Sequence, residues 1–197
     1  MNRTKTSRTS FFRSWLLWTA GSLALPLAGF AGSAVVGRVD GPLPALAGGA
    51  IAGLIIGAGQ ALTSSGRLQA RTWIPATAIG MSAGLFLGAA AVSYRTSLTD
   101  LALMGAINGL VLGSAQALAL PGGTHRRWIW AAAMSALWAL GWTITTLFMI
   151  QVSQQFTVFG ASGALVVTAI SGLLLQVLLP FRVRERRAGQ SPSAATA

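Results

Sequence analysis

The chain has 197 residues, 53% of them hydrophobic and only 9% charged, with a formal net charge of +11. At a mean hydropathy of +0.65, it lies outside ordinary water-soluble domains, where charged residues make up about 25%. The absence of cysteine removes disulfides, thiolate metal sites and cysteine nucleophiles, and the basic residues flank apolar segments, which points away from nucleic acid and towards a membrane surface.

Charged side chains leave uncharged windows at 14–37, 41–66, 72–94, 101–124 and 128–181. A helix needs about 20 apolar residues to cross a hydrocarbon core. The first four windows therefore hold one helix each, and the fifth holds two around the polar joint Gln151-Val152-Ser153-Gln154-Gln155. The predicted fold is all-α and polytopic, with six transmembrane helices at 15–36, 43–63, 73–93, 100–120, 128–150 and 157–179. They form one domain, 15–180, preceded by a basic segment, 1–14, and followed by a tail, 181–197, that is basic and then small, polar and disordered.

Pro42 and Pro44 precede the second span, Pro75 falls in the first turn of the third, and Pro121 and Pro180 follow the fourth and sixth. A missing N–H costs little at those places. Pro26, in the middle of the first span, should kink the helix and free the Ser22 carbonyl, as a static bend or a hinge. A competing reading makes residues 3–13 the basic start of a secretory signal, 15–30 its apolar region and 31–34 a cleavage site.

The basic residues set the orientation. Arg3, Lys5, Arg8 and Arg13, then Arg67 and Arg71, then Arg126 and Arg127, then Arg182, Arg184, Arg186 and Arg187 all fall on one side of a six-span thread. The other side has only Arg38 and Arg95, each near an acidic residue, Asp40 or Asp100. The positive-inside rule then makes both termini cytoplasmic.

An internal repeat accompanies this threading. Residues 49–62, GAIAGLIIGAGQAL, match residues 105–118, GAINGLVLGSAQAL, at nine of 14 positions. The Arg71-Thr72-Trp73 stretch matches Arg126-Arg127-Trp128, with a weaker copy at Arg13-Ser14-Trp15 and a degenerate last one through Gly160, Ala164, Thr168, Gly172 and Gln176. The predicted unit is a helical hairpin used three times in tandem, with pseudo-threefold symmetry.

Glycines recur every fourth residue in three spans: Gly49, Gly53 and Gly57; Gly80, Gly84 and Gly88; Gly105, Gly109 and Gly113. Each series makes one slowly drifting stripe, along which a neighbouring backbone can approach closely. That neighbour can belong to the same bundle or to a second subunit. Trp15, Trp18, Trp73, Trp128 and Trp130 mark the starts of odd-numbered spans and are expected in the headgroup layer. Trp138 and Trp142 lie deeper and can pack or line a pocket.

No Asp, Glu, Lys, Arg or His lies inside a predicted span. Ion-coupled transport and intramembrane hydrolysis rely on such residues. His125 is expected as a solvated loop side chain, and neither a metal site nor a cofactor is expected. The remaining polar candidates are amides. Gln60, Gln116 and Gln176 each lie near the cytoplasmic end of an even-numbered span, where they can bond neighbouring helices or ring a pseudo-threefold axis and contact a solute. Asn108 replaces the Ala52 of the preceding repeat near mid-span. A buried amide there needs a partner: Gln116, the hydroxyl of Thr143 or Thr168, water or a ligand.

The G-x-x-x-G-x-x-Q helix followed by Arg–Trp resembles a loose group of uncharacterised bacterial multi-pass membrane proteins built from duplicated hairpins, over residues 13–179. The resemblance implies an inner (cytoplasmic) membrane location and no activity. The chain is also similar in size to the substrate-capturing subunits of vitamin importers. The expected function is a non-catalytic membrane scaffold or partner-binding bundle. The alternative is a passive conduit or substrate-binding transport subunit for a neutral small solute or lipid, with Asn108 and the glutamines lining the site. Expected partners are the bilayer, with anionic lipids at its cytoplasmic face, and a membrane partner or a second copy of the chain.

Overall fold

A computed structural model describes residues 3–124, 126–148 and 152–179, with residues 3–10 as backbone. Among the described residues the fold is all-helical, without strands. The helices are α1 (Arg3–Ala20), α2 (Ala24–Val36), α3 (Pro42–Thr63), α4 (Ala70–Ala91), α5 (Leu98–Ala119), α6 (Arg127–Leu147) and α7 (Ala161–Leu178). Helices α1 and α2 join through a short 3₁₀ turn, Gly21–Leu23, and act as one rod. Five segments are long and apolar enough to cross a membrane: Phe11–Val36, Pro42–Thr63, Ala70–Ala91, Leu98–Ala119 and Ala161–Leu178. In α6, Trp128, Trp130, Trp138, Trp142 and a run of threonines dilute the apolar content. Of the six expected crossings, length and composition thus support five.

Local chemistry explains the helix ends. Pro42 occupies the first turn of α3, after Gly41 in extended conformation. Beyond α3, Ser65 (φ 56°) and Gly66 (φ 75°) turn the chain through the left-handed region, which terminates a helix. At the start of α5, the Ser97 hydroxyl accepts from the Asp100 amide at 3.2 Å and donates to its carboxylate at 2.6 Å. Arg95 grips the same carboxylate through Nε and Nη2 at 3.2 and 3.0 Å, which closes this cap.

The Pro26 effect takes the form of the 3₁₀ turn just upstream. Proline has no amide to offer the Ser22 carbonyl, and the Ala24 amide reaches both the Gly21 and Ser22 carbonyls instead. Helix α1 is already formed at Arg3, so most of the basic segment 1–14 continues the first rod. Likewise, α4 begins at Ala70, which puts Pro75 past its first turn.

The last hairpin departs from expectation. Helix α6 ends at Leu147 and α7 starts at Ala161, so the predicted bounds 128–150 and 157–179 do not hold. Gly160 is an extended cap, and Thr157, Val158 and Phe159 before it are buried connection rather than helix. They fill space left by glycines: a Cβ on Gly32 would lie 2.7 Å from the Thr157 hydroxyl, and one on Gly141 2.9 Å from the Phe159 ring. The tail 181–197, Pro180 and His125 lie outside the described residues.

Each helix from α2 to α7 packs on the next, and α7 returns to α1, with the pairs α3–α4, α4–α5 and α5–α6 the most extensive. The three glycine stripes face these contacts. Gly49, Gly53 and Gly57 of α3 meet the α4 backbone from Met81 to Ile74, while Gly80, Gly84 and Gly88 of α4 meet α5 at Leu112, Asn108 and Met104. Gly105, Gly109 and Gly113 of α5 meet α6 at Trp138, Met134 and Ala131. A Cβ on Gly53 would lie 2.6 Å from the Ala78 Cα, and one on Gly105 2.7 Å from the Trp138 carbonyl oxygen. Main-chain atoms cannot yield as a flexible side chain can.

Gly109→Leu should therefore force α5 and α6 apart. The expected loss is about 3 kcal/mol or more, seen as lost monodispersity in mild detergent. Gly122→Ala adds its methyl group to open space and should leave the elution profile and Tm unchanged. Equal behaviour of the two variants would refute close backbone contact as the source of adhesion.

Candidate functional site

The polar residues singled out by sequence fall into three environments. The first joins two of the predicted amides. Gln60 at the end of α3 accepts at Oε1 from Trp73 Nε1 at 3.0 Å and from Gln116 Nε2 at 3.1 Å. Gln116 of α5 also donates to the Thr77 hydroxyl at 3.1 Å and accepts from Trp130 Nε1 at 3.0 Å. Thr77 in turn donates to the Trp73 carbonyl at 2.8 Å. Four successive helices are thereby tied at one level, and Gln116, Thr77, Trp73 and Trp130 are fully buried.

These contacts correct the placement of the tryptophans. Trp18, Trp73 and Trp130 are core residues, with Trp130 edge-on to both others at ring distances of 6.4 and 6.0 Å. Trp18 donates to the Ser171 hydroxyl at 3.1 Å, and half-buried Trp15 donates to the Ala169 carbonyl at 2.9 Å. Only Trp128, 57% exposed, faces outwards as a headgroup anchor would. An indole buried in a bundle needs an acceptor for its N–H. The glutamines supply it at near-constant spacing, 60 to 73 and 116 to 130. That pairing is repeated in the sequence, and was the signal available for finding it.

Gln176 belongs to a second environment and does not join the other two glutamines. Its Oε1 accepts from Arg67 Nη1 at 2.9 Å, and its amide nitrogen donates to the Phe11 carbonyl at 3.5 Å. Arg67 also donates to the Ser64 carbonyl and the Ser14 hydroxyl, at 2.9 and 3.0 Å. Burial pushes its guanidinium below the ordinary arginine value, although such a group stays protonated in proteins. This cation holds the α3–α4 connection, α1 and α7 together.

Asn108 defines the third environment. It is fully buried, its amide nitrogen lies 3.7 Å from the Met81 sulfur, and its oxygen has no hydrogen-bond partner. That oxygen sits where a Cβ on Gly84 would be. Neither Gln116 nor Thr143 engages it; the Thr143 hydroxyl instead bonds the Ala139 carbonyl at 2.9 Å. On the neighbouring helix α6, Trp138 and Trp142 pack edge-on against Phe159 at 4.9 and 6.0 Å, and neither indole N–H has a partner.

At the opposite end of the bundle from Gln60, Arg38 does not pair with Asp40 but donates to Gln155 Oε1 at 3.0 Å and the Ser153 carbonyl at 3.1 Å. Gln155 passes the connection on to the Tyr94 carbonyl at 2.9 Å. A cavity of about 20 Å³ adjoins this loop beside Trp142 and Met104, room for about one water. A larger groove, about 740 Å³, lies near Arg67 and Arg126. Asn108, Gln60 and Gln116 line neither. Among the described residues, no three His, Asp or Glu side chains gather as a metal cluster.

The Gln60–Gln116 cluster contains no titratable group, and its donors and acceptors serve one another. Its chemistry is that of a fastening between helices. Gln116→Leu should cost about 1–2 kcal/mol by orphaning the Trp130 N–H, and Trp130→Phe should lower Tm similarly. Combined, they should cost clearly less than the sum, since both remove one interaction; strict additivity in detergent melts would show that the bond carries no energy. No protein-family model, curated protein or solved structure matches the chain, so what it does is read from this geometry.

Proposed function

We propose that the chain is a non-catalytic membrane scaffold or partner-binding bundle that crosses a bacterial-type inner membrane six times with both termini cytoplasmic. The observation that carries this reading is the filled centre. Trp18, Trp73 and Trp130 meet there with their N–H groups bonded, and Gln60, Gln116 and Asn108 line neither the groove near Arg67 nor the small cavity beside Trp142. A solute conduit would need polar groups presented to open space; here Gln60, Gln116, Thr77, Trp73 and Trp130 are presented to one another.

Six crossings follow from counting α6 with the five more apolar segments. At 21 residues it is long enough to span, and its removal would leave α7 running the wrong way. The repeat is supported by matched contacts. Gly49, Gly53 and Gly57 meet Met81, Ala78 and Ile74, just as Gly105, Gly109 and Gly113 meet Trp138, Met134 and Ala131. The contacting unit is a glycine-rich helix with the tryptophan helix that follows it. The third such pair is then α7 with α1, the two ends of the chain, where Gly172 meets Trp15 and Trp18.

The second reading, a site for a neutral solute or lipid, draws on the unpartnered Asn108 oxygen. Asn108→Ala separates the two: a scaffold should change only in stability, whereas a transport subunit should lose uptake or ligand retention.

The lack of cysteine makes the threading easy to test. In intact cells, a membrane-impermeant maleimide should label Asp40→Cys and Thr99→Cys but not Gln69→Cys or Gly122→Cys until the membrane is opened. Labelling of Gln69→Cys from outside would defeat the proposed topology. Mild-detergent purification should recover a stoichiometric protein partner or second copy; a retained small solute and no protein would favour the second reading.

A further inference from the structure

Helices α6 and α7 are in close backbone contact at Gly163 and Gly141. A Cβ on Gly163 would run into the Gly141 carbonyl oxygen, whereas Gly141 itself faces Phe159. Towards the other end, a groove of about 740 Å³ lies between the start of α6 and the end of α7. Its two halves differ in chemistry. One contains Arg67 and Arg126, from two separate connections, together with the glycine turn at Gly122 and Gly123. The other is aliphatic, with Ile129 from α6 and Val177 from α7 among its walls, 45% and 75% exposed.

We infer that this groove binds an anionic phospholipid, with the phosphate between Arg126 and Arg67 and an acyl chain along Ile129 and Val177. Charge complementarity identifies the occupant. Two arginines line the groove, and no carboxylate lines it among the described residues. Asp40, before α3, and Asp100, in the first turn of α5, lie at the opposite end of the bundle. Arg67 is held in place by Ser14, Ser64 and Gln176, so this wall of the groove is already ordered. Arg126 is exposed and can close over a headgroup. No atom occupies the space where side chains on Gly122 and Gly123 would extend, so a phosphate can approach the turn backbone closely.

A free phosphate would use only the cationic half. The aliphatic half, continuous with the outward-facing surfaces of α6 and α7, selects a ligand that carries both parts. Basic pockets between membrane helices at the cytoplasmic face bind anionic headgroups for this reason. The proposed threading enters only in naming the cytoplasmic leaflet as the source. Binding is measured on purified protein, so a failed topology and a failed lipid site give different results.

The test is native mass spectrometry of the full-length protein in detergent titrated with phosphatidylglycerol or phosphatidylcholine. The wild-type protein should retain phosphatidylglycerol preferentially. Arg126→Ala should weaken that retention about fivefold, the value of one basic residue near a membrane surface. Val177→Trp should weaken retention of both lipids by filling the aliphatic half. Arg95→Ala, at the other end, should change nothing, and millimolar inorganic phosphate should not displace the lipid. Equal retention of the two lipids, an unchanged Arg126→Ala, or displacement by inorganic phosphate would each overturn the assignment.

Discussion

Hydrocarbon gives two apolar helices little reason to leave lipid for one another, because a lipid tail solvates leucine as well as another leucine does. What remains is contact at short range, and its strength depends on how closely two backbones approach. Removing every side chain along one stripe is the direct way to shorten that distance. In this chain the stripes follow in relay, α3 onto α4, α4 onto α5 and α5 onto α6, with a Cβ at any of nine positions closer than van der Waals contact to the next helix. The bundle's geometry depends on those nine absences.

Close backbone contact sets the distance between helices but leaves their height free to slide. Directional bonds remove that freedom. Gln116 engages Gln60, Thr77 and Trp130 at once, so a shift of one turn would break bonds on three neighbours. Ser82 and Ser135 add further rivets to the Leu46 and Ala106 carbonyls, both at 2.8 Å. Such bonds are modest individually in a membrane, but an unsatisfied indole or amide in the same place would be costly. Their contribution is therefore as much to a unique register as to stability.

Much of this was legible in the residues. Glycine at every fourth position announces a contact stripe, and charges bracketing the apolar runs announce where helices end. The destination of the tryptophans was not legible from position alone. An indole just inside a basic residue suits the headgroup layer, and Trp128 faces outwards as that would require. Trp73 and Trp130 turn inward because a glutamine on the preceding helix offers an acceptor at the right height. Local sequence also hid the start of α7. Residues 157–160 are as apolar as a helix end, yet Gly32, Gly48 and Gly141 leave a hollow that Thr157 and Phe159 fill better as extended chain. Gln176 shares its sequence context with the other glutamines, but its neighbour is the Arg67 guanidinium, brought there by the turn at Ser65 and Gly66.

Apart from Asn108 in place of Ala52, the larger departures from the sequence repeat lie around α7. Between α3 and α6, glycine stripe, glutamine and tryptophan recur in register. Around α7, a serine takes the tryptophan N–H, the glutamine serves an arginine, and the connection from α6 folds inward. Within α3 to α6, Gln60, Gln116, Thr77, Trp73 and Trp130 serve one another. Where the pattern lapses, surfaces are left for something else, and the groove between α6 and α7 opens at that seam. The proposed lipid site lies beside this last hairpin, away from the glycine stripes that join α3, α4, α5 and α6.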